Sequence, residues 1–195
     1  MASSGEKILQ RIGFRTSIIE NGIYKINGEK IKLKGVNRHE FSPTGGATVT
    51  LEETVRDLEL MKAANVNAIR TCHYPDSPEF YDLCDAMGFY VMDEADVETH
   101  GMEERCGGVD PWRRWQDFAE SGIADKGVTD REITLYERDK NRACVVIWSL
   151  GNESSYGKMF HSGADYIHAH DNRPIHYEGI TWLADRTNYY TTRID

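Results

Sequence analysis

The sequence predicts an α/β fold: a partial (β/α)8 barrel of about five to six βα units, entered through a short β-hairpin segment. Three observations carry that prediction. Short apolar runs alternate with segments of helical periodicity, the pattern of a parallel sheet with right-handed crossovers. Each apolar run ends in a polar cluster: Asn37-Arg38-His39-Glu40, Arg70 to His73, Asp93 to His100, Asn152-Glu153, and His176 to Glu178. A ring of polar groups at successive strand ends is a barrel arrangement. No glycine-rich phosphate fingerprint follows the first strand, which counts against an open nucleotide-binding sheet.

Residues 1–11 read as a tail, disordered or left from cloning, with no apolar leader segment. Residues 12–30 form the hairpin segment, in which Phe14 to Ile19 and Ile23 to Ile26 flank Glu20-Asn21-Gly22. Asn-Gly is the strongest short hairpin signal. A second turn, Asn27-Gly28-Glu29-Lys30, leads into an alternating strand from Ile31 to Asn37. Residues 31–195 are assigned to the N-terminal part of the barrel.

Thr50 with Glu53 three residues on is a capping box, and Leu51, Val55, Leu58 and Met61 give the helical stripe behind it. Val66 to Thr71 is a strand. Pro78 opens a helix that Gly88 closes, and Phe89 to Asp93 is the third strand. Residues 102–127 are polar and read as a long loop with one short helix. Thr129 caps a helix through Asn141, Val145 to Leu150 is a strand buried on both faces, and a helix runs from Tyr156 to His170. Pro174 to Glu178 is a strand, and Asn188-Tyr189-Tyr190 starts another. An eight-stranded barrel takes about 250 residues, so 195 residues leave it open.

Composition narrows the function. With 39% hydrophobic and 28% charged residues the chain is ordinary globular material. A net charge of −9 argues against nucleic acid, and no apolar run reaches membrane-spanning length. Cys72, Cys84, Cys106 and Cys144 lack any CxxC spacing and read as free thiols in a reducing, cytoplasmic setting. Glu153, a carboxylate where a buried strand stops, is the leading catalytic candidate. A Glu near a helix start serves about as often as a cap or ion-pair partner, so the position alone is a weak signal. A metal-dependent amidohydrolase barrel would want a His-x-His pair on the first strand, where only His39 is found.

Four stretches, taken in order, resemble the catalytic domain of the LacZ-type β-galactosidases of glycoside hydrolase family 2. They are Gly35 to Glu40, Asn67 to Pro75, Asp93 to Gly101 and Trp148 to Ser154, with Tyr177-Glu178-Gly179 matching as well. The resemblance implies retaining hydrolysis of terminal β-D-galactosides, with Glu153 as general acid/base. It implies that Asn152, His39 and His73 bind the sugar. It further implies that Glu98, His100 and Glu153 hold Mg2+, while the ligands of a family Na+ are not in this chain. Arg70 and Asp93 are expected to be structural, in buried ion pairs, and Trp148 and Trp115 to be packing residues. The family's nucleophile lies in a Glu-Tyr-x-His-x-x-Gly-Asn-like stretch that is absent between Thr181 and Asp195. The alternative is therefore a noncatalytic barrel fragment with residual sugar or metal binding. An unclosed barrel must cover its strand edges, which implies a homo-oligomer or another association.

Overall fold

The computed structural model describes residues 12–104 and 111–179, together with positions 5, 7 and 9. A small antiparallel sheet comes first, in the order β1 (Ser17–Glu20), β2 (Ile23–Ile26), β3 (Glu29–Lys30). Its turns are Asn21-Gly22 and Asn27-Gly28, all four residues at positive φ, the geometry that matches strand twist. The second turn does not hand the chain to the main sheet as expected. It closes a further hairpin, pairing Ile26 with Glu29 and Lys25 with Lys30, and the main sheet starts only at Gly35.

The main sheet is parallel, in the order β4 (Gly35–Arg38), β5 (Ala68–Thr71), β6 (Tyr90–Glu94), β7 (Val145–Ser149), β8 (Ile175–His176). Every strand lies beside its sequence neighbour. A doubly wound sheet would reverse its order at a switch point, and this sheet does not. It is an arc of a (β/α)8 barrel.

The connecting helices are α1 (Leu51–Ala63), α2 (Pro78–Met87), α3 (Gly101–Glu104), α4 (Pro111–Glu120), α5 (Asp125–Asp139) and α6 (His161–His170). The capping box at α1 is formed: the Glu53 amide donates to the Thr50 hydroxyl at 3.2 Å, and the Thr50 amide to the Glu53 carboxylate at 2.9 Å. Such a cap contributes about 1 kcal/mol. Gly88 ends α2 in the left-handed region at φ 71°, where a side chain would be strained.

Three boundaries differ from the sequence reading. The stretch read as a loop with one helix holds α3, α4 and the start of α5, and its residues 105–110 lie outside those described. Thr129 is inside α5 rather than its cap. The buried stripe of α5 begins at Val128 and continues through Glu132, Leu135 and Tyr136 to Asp139, so the helix must already be wound at Val128. The helix expected from Tyr156 is a 3-10 turn at Lys158–Phe160 followed by α6, because Gly157 is extended. The strand expected over 174–178 is confined to β8. The expectations for Cys106 and Asn188 to Tyr190 fall outside the described residues, as does the side chain of Trp115.

The main core lies between sheet and helices, around the fully buried Leu58, Phe80, Tyr81, Phe89, Val91, Trp148, Met159, Phe160, Ile167 and Ile175. Each such side chain contributes about 1.5–3 kcal/mol. Trp148 packs as expected: its indole N–H donates to Asp171 at 3.2 Å, and the Arg173 guanidinium lies 4.3 Å from its ring centre. Cys72, Cys84 and Cys144 are buried and free, and burial raises all three thiols.

A second, smaller core lies on the inside of the arc. Tyr24 and Ile26 of the hairpin segment, with Ile31 and Leu33 just after it, pack with Tyr90, Met92, Val146 and Ile147. The register between β6 and β7 slips at Val91/Met92, which leaves Val146 as an extra residue. Its carbonyl is satisfied from the hairpin, accepting from the Ser17 hydroxyl at 2.7 Å and the Tyr24 hydroxyl at 3.3 Å. The hairpin thus closes the end of the arc where the strands begin, leaving chemistry to the end where they stop.

Candidate active site at the strand ends

Strand alternation decides which side chains enter that end. Arg70, Glu94, Ser149 and His176 face inward, and Glu94 is their hub. Its fully buried carboxylate accepts from Arg70 Nε at 2.5 Å and Nη2 at 3.0 Å, and from the Ser149 hydroxyl at 2.6 Å. His73 Nδ1 lies 2.7 Å from the same carboxylate. The Ser149 hydroxyl also meets His176 Nδ1 at 3.0 Å, and burial, reinforced by the Arg70 charge, lowers the His176 imidazole below its ordinary value.

The expected buried ion pair is found for Arg70, and the expectation for Asp93 needs correction. Arg70 pairs with Glu94. Asp93 is one residue away and therefore on the opposite face, where it accepts from the Tyr81 hydroxyl at 2.6 Å. Burial and the neighbouring Asp139 charge hold the Asp93 carboxyl well above the usual range, partly offset by Tyr81. Glu94 lies within the Asp93-to-Gly101 stretch, whose local pattern does not mark it as the hub. The signal that finds it is the parallel register, which sets Arg70 beside Met92 and Glu94 beside Ser149.

From the hub the network continues outward. Arg70 Nη2 donates to Asn152 Oδ1 at 3.0 Å, and Asn152 Nδ2 donates to the Glu98 carboxylate at 2.7 Å. Asn152 is buried. The turn that carries it requires Gly151: its φ is 150°, and a Cβ there would stand 2.7 Å from Val97 Cβ and Val97 O. That close approach lets the Asn152 amide donate to the Val97 carbonyl at 2.8 Å. On the other side, the Ser154 amide donates to the buried Tyr177 hydroxyl at 3.1 Å. Glu153 is held between these two anchors.

Glu153 Oε2 lies 2.5 Å from His100 Nε2, and His100 Nδ1 is 3.5 Å from Glu98 Oε1. Ligand atoms of Glu98, His100 and Glu153 all fall within 4.8 Å of one another. All three are solvent-facing, with side chains 34%, 50% and 50% exposed respectively. Two carboxylates and an imidazole open to water suit a hard divalent cation that keeps several waters. The Glu153 amide donates to Glu178 Oε1 at 3.0 Å. Burial raises the Glu178 carboxyl; the Glu153 amide offsets this and the Glu153 charge adds to it.

His39 and His73 follow β4 and β5, their rings edge to face at 5.3 Å. Of the predicted site residues, the structure thus gathers Glu98, His100 and Glu153 into one group, joins Asn152 to it, and places His39 beside His73. Inside the arc opens a cleft of about 370 Å3, lined by Asn37, Arg70, His176 and Glu178 together with the apolar Met92 and Ile147.

A parallel barrel arc with carboxylates, imidazoles and a buried amide at its strand ends has the layout of the (β/α)8-barrel enzymes, whose active sites sit at that end. The particular family follows from comparison. The family model described as "Glycosyl hydrolases family 2, TIM barrel domain" matches residues 18–194, and the chain belongs to that family. It is 43% identical over 181 residues to a β-galactosidase of Streptococcus thermophilus, covering 92% of this chain and 17% of that protein. It is 45% identical over 190 residues to the β-galactosidase BgaC of Bifidobacterium adolescentis, covering 92% and 17%. Among solved structures it resembles the β-glucuronidase of Ruminococcus gnavus bound to uronic isofagomine, with TM-score 0.68 and 27% identity over 85% of this chain and 29% of that one. The chain spans less than a fifth of the length of these two curated relatives.

Proposed function

We propose that this chain is the N-terminal part of the catalytic barrel of a retaining β-galactosidase, and that Glu153 is its general acid/base. The observation that carries the reading is the fixed placement of Glu153. Gly151 against Val97 and Ser154 on Tyr177 hold it at the strand end, beside His100 and joined through its amide to Glu178. A carboxylic acid there can protonate the departing glycosidic oxygen and later take a proton from water.

Asn152 uses its carbonyl on Arg70 and one amide hydrogen on Glu98, which leaves the second hydrogen for a sugar hydroxyl. His39 and His73 line the galactose subsite, His73 being oriented by Glu94. Glu98, His100 and Glu153 would hold Mg2+, and their converging negative charge is the observation that fits such an ion. Bound there, the ion would offset that charge and help position substrate oxygens. Terminal β-galactosides are preferred to glucuronides because the curated relatives named β-galactosidases are 43–45% identical, whereas the resembling glucuronidase is 27% identical.

The nucleophile is assigned to the βα units of the relatives that this chain does not span. No Glu occurs between Thr181 and Asp195. Grafting residues 18–194 in place of the matching segment of the Streptococcus thermophilus relative is expected to give an enzyme that cleaves aryl β-galactosides, while the chain alone does not. A chimera that prefers β-glucuronides would overturn the sugar assignment, and turnover by the chain alone would overturn the placement of the nucleophile.

The setting is cytoplasmic on this reading, in keeping with the free buried thiols. No helix among the described residues is long and apolar enough to cross a membrane. The acidic net charge leaves no electrostatic role for nucleic acid. Among the described residues, β4 and β8 each pair on one side only, and Val36 of β4 is exposed. The isolated chain is therefore expected to self-associate. Light scattering coupled to size exclusion checks this; a monodisperse monomer that binds no ANS would exclude it.

A further inference from the structure

Apart from the Glu98, His100 and Glu153 group, one other set of ligating side chains converges among the described residues: His39, Cys72 and His73. A ring nitrogen of each histidine and the Cys72 sulfur lie within 4.8 Å of one another. The main chain brings them together, since the Cys72 amide donates to the Arg38 carbonyl at 3.0 Å and so locks the ends of β4 and β5 side by side. The second observation is the buried Glu94 on His73 Nδ1 at 2.7 Å. A carboxylate in that position fixes the ring's tautomer, leaves Nε2 as the donor and raises its basicity, as in carboxylate–histidine–metal triads.

We propose that His39, Cys72 and His73 form a second metal site, one that takes a thiophilic cation of the Zn2+ type and not Mg2+. One thiolate and two imidazoles supply one sulfur and two nitrogen donors, with a fourth position open to water. A hard cation gains little from sulfur or nitrogen donors. Zn–S and Zn–N bonds of about 2.3 and 2.0 Å are the distances such a site takes when the ion is bound. His39 is exposed, and its ring lies against those of His73 and Tyr74 on the open side of the group. On binding, the Cys72 S–H bond breaks, its proton leaves to solvent, and the sulfur bonds the metal. Burial pushes that thiol up to about 11, so metal and proton compete for the sulfur. If His39 and His73 line the sugar subsite as proposed above, zinc would inhibit competitively with galactoside. That consequence rests on the proposed function; the site itself does not.

Cobalt is the probe. Titrating Co2+ into the purified chain is expected to give a thiolate-to-cobalt charge-transfer band in the near ultraviolet and strong visible bands of a low-coordinate ion, both removed by Zn2+. Cys72→Ser should abolish the charge-transfer band. His39→Ala, at an exposed position with little risk to folding, should weaken Co2+ and Zn2+ binding at least tenfold. His100→Ala should leave the charge-transfer band unchanged, since that band reports the thiolate alone. Absence of the charge-transfer band in the folded chain would overturn the site. So would loss of the band in His100→Ala together with its retention in His39→Ala. Because the readout is spectroscopic and needs no turnover, failure here is distinct from failure of the galactosidase reading.

Discussion

Glu153→Gln, placed in the chimera with the Streptococcus thermophilus relative, is expected to lower turnover of alkyl β-galactosides by roughly 10²- to 10⁴-fold, the range of general acid–base catalysis. The amide keeps the shape of the side chain but has no proton to give the leaving oxygen. Substrates should separate by leaving group. An aryl galactoside departs with little protonation, so its first step is spared and the loss moves to the second, where water must be deprotonated. Added azide needs no deprotonation and is expected to restore turnover of the aryl substrate as galactosyl azide. The competitor for the role is Glu178, whose carboxyl burial raises and whose Oε1 accepts the Glu153 amide at 3.0 Å. Steady-state kinetics on both Gln variants decide between them. A loss below tenfold at Glu153, with the leaving-group dependence appearing instead at Glu178, would transfer the acid/base to Glu178.

What the sequence disclosed depends on range. Local chemistry was legible: Thr50 with Glu53, Asn21-Gly22 and Pro78 with Gly88 each encode a cap or turn within a few residues, and each formed. The order of strands was legible because apolar runs and helical stripes alternate. The hub of the site was not. Glu94 is bonded by Arg70, 24 residues away, and by Ser149, 55 residues away, and only the parallel register sets these on one face. The same register separates Asp93 from Arg70. A one-residue difference along a strand decides between pocket and core, and sequence spacing alone does not fix which residue takes which side. The start of α5 was hidden for another reason. Its buried stripe includes the charged Glu132 and Asp139, which interrupt the apolar periodicity that would mark its face.

Glu132 itself supports the second large effect. It is fully buried on α5, and neither carboxylate oxygen has a hydrogen-bond partner among the described residues. It occupies the space a side chain would take at position 163, so α6 carries glycine there. Burial alone holds the Glu132 carboxyl well above its ordinary value. Between an unfolded value of about 4.3 and the raised native value, the native state binds more protons than the unfolded state. Stability is therefore lost as pH rises through that window, the opposite of a salt-bridged carboxylate. Glu132→Met removes the unpaired polar group and keeps the volume, and it is expected to stabilise the fold by about 1–3 kcal/mol near neutral pH. The gain should shrink toward pH 4, where native and unfolded carboxyls are both protonated and only the burial of a neutral acid remains. Urea unfolding of the two proteins at pH 5 and pH 8 measures the difference. An equal gain at both would mean that Glu132 is charged or paired in the native protein. A loss of stability would mean that the carboxylate supports the α5–α6 contact against Gly163.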